Sequence, residues 1–141
     1  MLRLTKKVEY ALIALRHIAE KSDTEVSKTK EISEHYHIPQ ELLAKILQKL
    51  NRAGIIQSMQ GPRGGYVLVR PLNEIPLSTI IEAIEGSYHF VECASGDKED
   101  CFLIDDCVIR SPLLRINQEI RRFLSKVTVQ QVVRGEVPPV R

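Results

Sequence analysis

Cys93, Cys101 and Cys107 fall within 15 residues of one another in a chain of 141. Seven residues separate the first pair and five the second. A secreted disulfide framework would use an even number of cysteines and wider loops. Clustered thiols in a reducing compartment point instead to a metal, a cluster or redox chemistry. Zinc ribbons and fingers space their cysteines two to four residues apart, a pattern this chain lacks. Three thiolates on one loop suit an iron–sulfur cluster completed by a fourth ligand from elsewhere. The neighbouring acids Glu92, Asp97, Glu99, Asp105 and Asp106 disfavour a reactive low-pKa thiolate, because negative charge raises a thiol pKa. On the residues alone, cluster, zinc, redox thiols and inert cysteines all stand. His89, four residues before Cys93, is a further side chain of ligating type.

A second chemistry is carried by the distribution of charge. The net charge is only +2, yet residues 1–70 hold 12 Lys/Arg against 7 Asp/Glu, and residues 71–108 hold 1 against 9. Residues 109–141 return to 7 against 2. A basic front suggests a polyanionic partner, with nucleic acid the natural one.

The elements that would present this charge follow from periodicity. Apolar residues recur at helical spacing from Lys7 to Lys21, and polar residues 22–25 then break the pattern. A short helix is expected from Lys28 to His35, with Ser27 or Thr29 as its N-cap, followed by a tight turn at Tyr36-His37-Ile38. Pro39 suits the first position of a third helix, and Leu42, Leu43, Ile46, Leu47 and Leu50 form its apolar stripe up to the stop at Gly54. This is the outline of a helix-turn-helix, and Gln40, Glu41 and Lys45 near the start of its second helix are the candidates for base edges. Lys49 and Arg52 lie further along, where phosphates are in reach. Residues 55–59 and 66–69 are β-prone and flank the turn-forming Gln60-Gly61-Pro62-Arg63-Gly64-Gly65, so a hairpin wing follows. At its tip, beside Gln60 and Pro62, Arg63 is the candidate for a minor groove. Thr5, Lys6 and Lys7 are candidate phosphate contacts ahead of the first helix.

Leu77 to Glu85 reads as a short helix ended by Gly86, and residues 87–108 as a structured loop without periodicity. From Pro112 helical spacing resumes through about Val133. Leu113, Leu114, Ile116, Ile120, Phe123, Leu124 and Val127 are more apolar residues than one free helix face would carry, which predicts a homodimer. The expected fold is mainly α: a winged helix-turn-helix domain with a small β-hairpin (1–86), a cysteine-containing cluster-binding loop (87–110), a long dimerisation helix (111–134) and a mobile tail (135–141).

Leu4-Thr5-Lys6 opening the first helix, the wing string Gly61-Pro62-Arg63-Gly64-Gly65-Tyr66 and the three-cysteine loop before a long helix together resemble the IscR/NsrR family of bacterial winged-helix transcription regulators. The resemblance covers residues 1–134. It implies a homodimer built on the long C-terminal helix, double-stranded DNA with a pseudo-palindromic operator as partner, and an iron–sulfur cluster near the dimer interface. The iron–sulfur-assembly branch has a shorter first gap and a His three positions after the third cysteine, carrying a 2Fe–2S cluster; here that position is Arg110, so that site does not transfer. The nitric-oxide-sensing branch has the longer first gap, which implies a 4Fe–4S cluster on Cys93, Cys101 and Cys107. Its fourth ligand is a carboxylate from the partner's first helix, at the position of Glu9. The resemblance therefore favours 4Fe–4S, with 2Fe–2S as the alternative, and sensing of nitric oxide, redox or iron–sulfur status. Where the family often has an Arg before the Gly-Pro of the wing, this chain has Gln60, which shifts the expected groove contact to Arg63.

The class exclusions are simple. No nucleophile–base arrangement or phosphate-binding glycine motif supports an enzyme. No apolar run approaches the roughly 18–20 residues of a membrane span, and the first residues lack a secretory h-region, so the cytoplasm is the expected location. A zinc-binding or cluster-free DNA-binding module, with thiol-based or no sensing, is the alternative function.

Overall fold

The computed structural model describes residues 3–97, 99 and 101–139. Helix α1 (Lys6–Glu20) buries Val8, Ala11, Leu12, Ala14, Leu15 and Ile18, two stripes that make it the central rod of the core. Thr5, in extended conformation, is its N-cap and accepts the Val8 N–H at 3.4 Å. Helix α2 (Thr29–Tyr36) fully buries only Ile32, with Tyr36 packed against the core beside it. The turn to the next helix passes through His37 in the left-handed region (φ 56°), and buried Ile38 is held there by Ser33, whose hydroxyl donates to its carbonyl at 2.6 Å.

Helix α3 (Gln40–Arg52) buries Leu43, Ile46, Leu47 and Leu50 and leaves its polar side open. Its end is a Schellman motif: Gly54 (φ 73°) donates to Asn51 and Ile55 donates to Leu50, each at 3.1 Å. The left-handed residue is a glycine because a Cβ is unfavourable there. Strands β1 (Ile56–Met59) and β2 (Gly65–Leu68) form the antiparallel hairpin, in the register Ile56↔Leu68 to Met59↔Gly65. Helix α4 (Leu77–Glu85) buries Leu77, Ile80, Ile81 and Ile84 against α1 and α3. Each fully buried aliphatic side chain contributes about 1.5–3 kcal/mol.

Three expectations are corrected. Neither Ser27 nor Thr29 caps α2. Ser27 is drawn into the sheet, where its N–H donates to Tyr66 at 3.0 Å and its carbonyl accepts from Tyr66 at 2.8 Å; Lys28 takes the cap position. Two backbone bonds outweigh one side-chain cap. Pro39 is the N-cap residue of α3, not its first helical residue, because its ψ of 124° is extended. The single helix expected through 111–134 is two, α5 (Arg110–Lys126) and α6 (Val129–Arg134). Val127 and Thr128 are extended because they pair with the segment before α4: Leu77 donates to Val127, and Val129 to Ile75, each at 2.8 Å. Thr128 then caps α6, with Gln131 returning a bond to the Thr128 N–H at 2.9 Å. Of the tail expected to be mobile, residues 135–139 are exposed, and residues 140 and 141 lie outside the described residues.

Lys21 ties α1 to α2. Its ammonium donates to both Glu31 carboxylate oxygens, at 2.6 and 2.8 Å, and to the Val26 carbonyl at 3.1 Å. Partial burial of Glu31 opposes its charge, but the bonds from Lys21 and the Lys28 N–H prevail and hold its carboxyl below the ordinary value of 4.5. A group with a depressed folded pKa stabilises above the unfolded value and loses that contribution as pH falls through the folded one. Glu31→Gln is therefore expected to be less stable than the parent in urea unfolding at neutral pH. The difference should close as pH falls below the carboxylate range. Because Glu31 is 41% exposed, solvent screening keeps the difference under about 1 kcal/mol.

Candidate nucleic-acid interface and cysteine loop

The first turns of α3 carry Gln40, Glu41 and Lys45, all exposed and on the side opposite the buried stripe. Lys49 is exposed too, but its ammonium donates to the Ile84 carbonyl at 2.8 Å. It thereby ties the recognition helix to the C-terminal end of α4, where a cation complements the helix dipole. Arg52 is exposed one turn on. Ahead of α1, Lys7 is exposed, whereas Lys6 pairs with Glu9 at 2.6 Å, and this bond and charge raise the Lys6 ammonium pKa. Thr5 is half-buried, and its hydroxyl also donates to Glu85. Its structural duties are those of a helix cap.

At the wing, Gln60, Pro62 and Arg63 are exposed. Arg63 has no hydrogen-bond or ion-pair partner among the described residues. Gly61 turns the chain at φ 108°, and the Gly64 N–H donates to its carbonyl at 2.9 Å. The next two glycines are required by space. A Cβ at Gly64 would stand 2.3 Å from the Met59 carbonyl oxygen, and one at Gly65 2.7 Å from that of Ser27. Helix α3 and the wing thus present their polar residues from one rigid unit.

The cysteine loop is anchored at its root. Buried Asn117 of α5 (6% exposed) accepts the Phe90 N–H at 2.8 Å. Arg121 donates to the Tyr88 carbonyl, lies 4.5 Å over the Tyr88 ring and reaches Glu82 of α4 at 3.5 Å. Burial raises the Tyr88 phenol pKa, against the pull of Arg121. Beyond the root, a short 3-10 turn holds Cys93 (Glu92–Ala94), and Arg110 donates to the carbonyl of buried Ile104 at 3.2 Å. The residue standing where one branch would place a His ligand closes the loop onto α5.

Cys93, Cys101 and Cys107 are free and half-exposed. Within the single chain no three His, Cys, Asp or Glu side chains among the described residues are gathered closely enough to hold a metal ion. Glu9 is on α1, bonded to Lys6, and His89 is exposed. The donor set therefore suits an iron–sulfur cluster in kind, while one chain alone does not bring it together. Residues 98 and 100 of the loop lie outside the described residues.

The apolar residues assigned to a partner divide between two surfaces. Val127 is buried in the chain's own core and Leu124 packs against it, a correction to their place in the free face. Ile116 and Phe123 remain 53% and 37% exposed. The sequence reading missed the anchors Asn117 and Arg121; an Asn inside an apolar helix stripe was the available signal.

A helix-turn-helix followed by a hairpin wing, with its recognition face open, defines a winged-helix DNA-binding regulator. The chain matches the model of the Rrf2 family, described as iron-dependent transcriptional regulators, over residues 4–135, and it belongs to that family. It is 27% identical over 135 residues to the HTH-type transcriptional regulator NsrR of Oceanobacillus iheyensis, covering 96% of this chain and 92% of that one. It is 29% identical over 135 residues to the regulator IscR of Serratia proteamaculans, covering 96% and 81%. Among solved structures it is similar to CymR, the global cysteine regulator of B. subtilis, with a TM-score of 0.75 at 24% identity, covering 96% and 98%; this likeness concerns the fold. The protein is a transcriptional regulator and not an enzyme. No helix among the described residues is long and apolar enough to cross a membrane.

The crowding at Gly65 has a measurable consequence. Gly65→Ala must push the hairpin off the Ser27 backbone, which is not a flexible obstacle. A loss of about 1–3 kcal/mol in urea unfolding is expected, with weaker DNA binding through the displaced wing.

Proposed function

We propose that this protein is a homodimeric regulator that binds a pseudo-palindromic operator. In this reading Cys93, Cys101 and Cys107 hold an iron–sulfur cluster that governs binding. One observation carries the reading: three free, half-exposed thiols lie on a loop whose root is held by Arg121 of α5, which also bonds Glu82 of α4, the helix that receives Lys49 of the recognition helix. On DNA, Gln40, Glu41 and Lys45 read base edges. Lys6, Lys7, Lys49 and Thr5 lie toward phosphates, and the wing tip with Gln60, Pro62 and Arg63 enters a minor groove.

When bound, a cluster of this kind supplies an iron site open to nitric oxide or to redox change. Cys93, Cys101 and Cys107 would hold it, with the partner subunit's Glu9 as the fourth ligand, and 4Fe–4S is favoured over 2Fe–2S. A carboxylate is a harder and weaker donor to such iron than a thiolate, which suits a position that must stay reactive. A second reading, a cluster-free thiol regulator, draws on the fact that among the described residues of one chain no three His, Cys, Asp or Glu side chains gather into a metal-ion site.

The two readings separate in one experiment. Anaerobic purification followed by visible spectroscopy and iron and sulfide analysis is expected to give a coloured protein. Any single Cys→Ala should lose the absorbance and shift DNA affinity. Glu9→Ala should keep the cluster but alter its spectrum or stability. A colourless, iron-free protein whose DNA binding still answers to thiol oxidation would establish the second reading.

The dimer has its own support in α5. Leu113, Ile116, Ile120 and Phe123 alternate steps of three and four, the spacing of a coiled-coil seam, and Ile116 and Phe123, with Ile109 just ahead of the helix, lie open on the single chain. Ile116→Glu is expected to convert a dimer into a folded monomer in sedimentation at micromolar concentration. A dimer that survives this change would place the interface elsewhere.

A further inference from the structure

Lys28 stands where helix chemistry does not favour it. It is the N-cap residue of α2, a position that suits Ser, Thr, Asp or Asn, and a lysine has no acceptor with which to cap. Its positive charge also meets the positive end of the helix dipole. The side chain turns away to the wing, where its ammonium donates to the Pro62 carbonyl oxygen at 3.4 Å, across 34 residues of sequence. Its neighbour Ser27 is paired with Tyr66 of β2, two residues beyond the turn at 60–64, and Gly65 leaves no free space there. Backbone bonds therefore fix the strands of the wing beside its tip. Among the described residues, Lys28 makes the only hydrogen bond from outside the hairpin to its tip (60–64), which otherwise holds itself by the Gly64–Gly61 turn bond and the Gln60–Ser58 side-chain bond at 3.4 Å.

We propose that Lys28 is a positioning residue for DNA recognition: by holding the Pro62 carbonyl it fixes the direction in which the adjacent, unpartnered Arg63 leaves the wing tip. The inference rests on the reading of α3 and the wing as the DNA interface. The physical reason is preorganisation. A tip already held in its bound direction loses less conformational freedom when it enters a groove. Lysine suits the task because its ammonium offers three donors on a long flexible stem, and the carbonyl it holds belongs to the residue next to Arg63.

The test uses the full-length protein and duplexes that it selects from a random-sequence pool. Affinity is measured across a salt series for the parent, Lys28→Met, Lys28→Arg, Arg63→Ala and the double variant Lys28→Met with Arg63→Ala, alongside unfolding midpoints. Lys28→Met should weaken binding about five- to tenfold with the midpoint and salt slope unchanged, and Lys28→Arg should retain most of the affinity. In the Arg63→Ala background, Lys28→Met should have no further effect, the signature of a residue acting through another. Full additivity of the two changes overturns the proposal. So does unchanged affinity in Lys28→Met, or a salt slope smaller by about 0.9, which would make Lys28 a direct phosphate contact. A pool from which the parent selects no duplex overturns the DNA interface itself, and is told apart because the parent fails before any variant is compared.

Discussion

The polar ends of helix α4 are where the other parts of this molecule are tied together. Its apolar face is buried against α1 and α3, so the helix cannot move without disturbing the core. Its exposed end then takes three bonds from three directions: Ile84 accepts from Lys49 of the recognition helix, Glu85 from Thr5 at the cap of α1, and Glu82 from Arg121 of α5. At its start, Leu77 pairs with Val127 and brings the chain back from α5 into the core. A nine-residue helix thus joins the DNA-facing elements to the root of the cysteine loop.

This arrangement gives the proposed switch a short physical route. The loop root at Tyr88 and Phe90 is held by Arg121 and Asn117, and Arg121 touches α4 directly. Two bonds away, Lys49 carries the same helix to α3. A switch of this kind needs two alternative arrangements of these bonds with different affinities for DNA, and a rearrangement of the loop would act first on Arg121. The wing joins this route at α3, where the Asn51 side-chain oxygen accepts the Ser58 N–H at 3.2 Å, and it is also referenced to the start of α2 through Ser27 and Lys28.

The charge pattern follows the same division. Basic residues of the first half lie on α1, α2, α3 and the wing, while six of the nine acids of residues 71–108 fall between positions 92 and 106, among the cysteines. Separating the two directs a polyanion to the basic first half of the chain and away from the acidic loop.

The local elements were legible in the sequence because each rests on local physics. Apolar spacing marked α1, α3 and α4, Gly54 and Gly86 marked helix ends, and the glycine-rich string marked the hairpin turn. Even the break at Val127 was written in a Thr-x-x-Gln box at Thr128, though a continuous apolar period concealed it. Tertiary structure decided what depends on residues far apart in the chain. It took Ser27 out of a cap and into a sheet, sent Lys49 to a carbonyl of α4 and Lys28 to the wing, and placed Asn117 beneath the cysteine loop. Among the described residues of one chain it gathers no three His, Cys, Asp or Glu side chains into a metal-ion site. Spacing along a chain states which ligands exist, whereas their convergence depends on packing between segments that spacing does not describe.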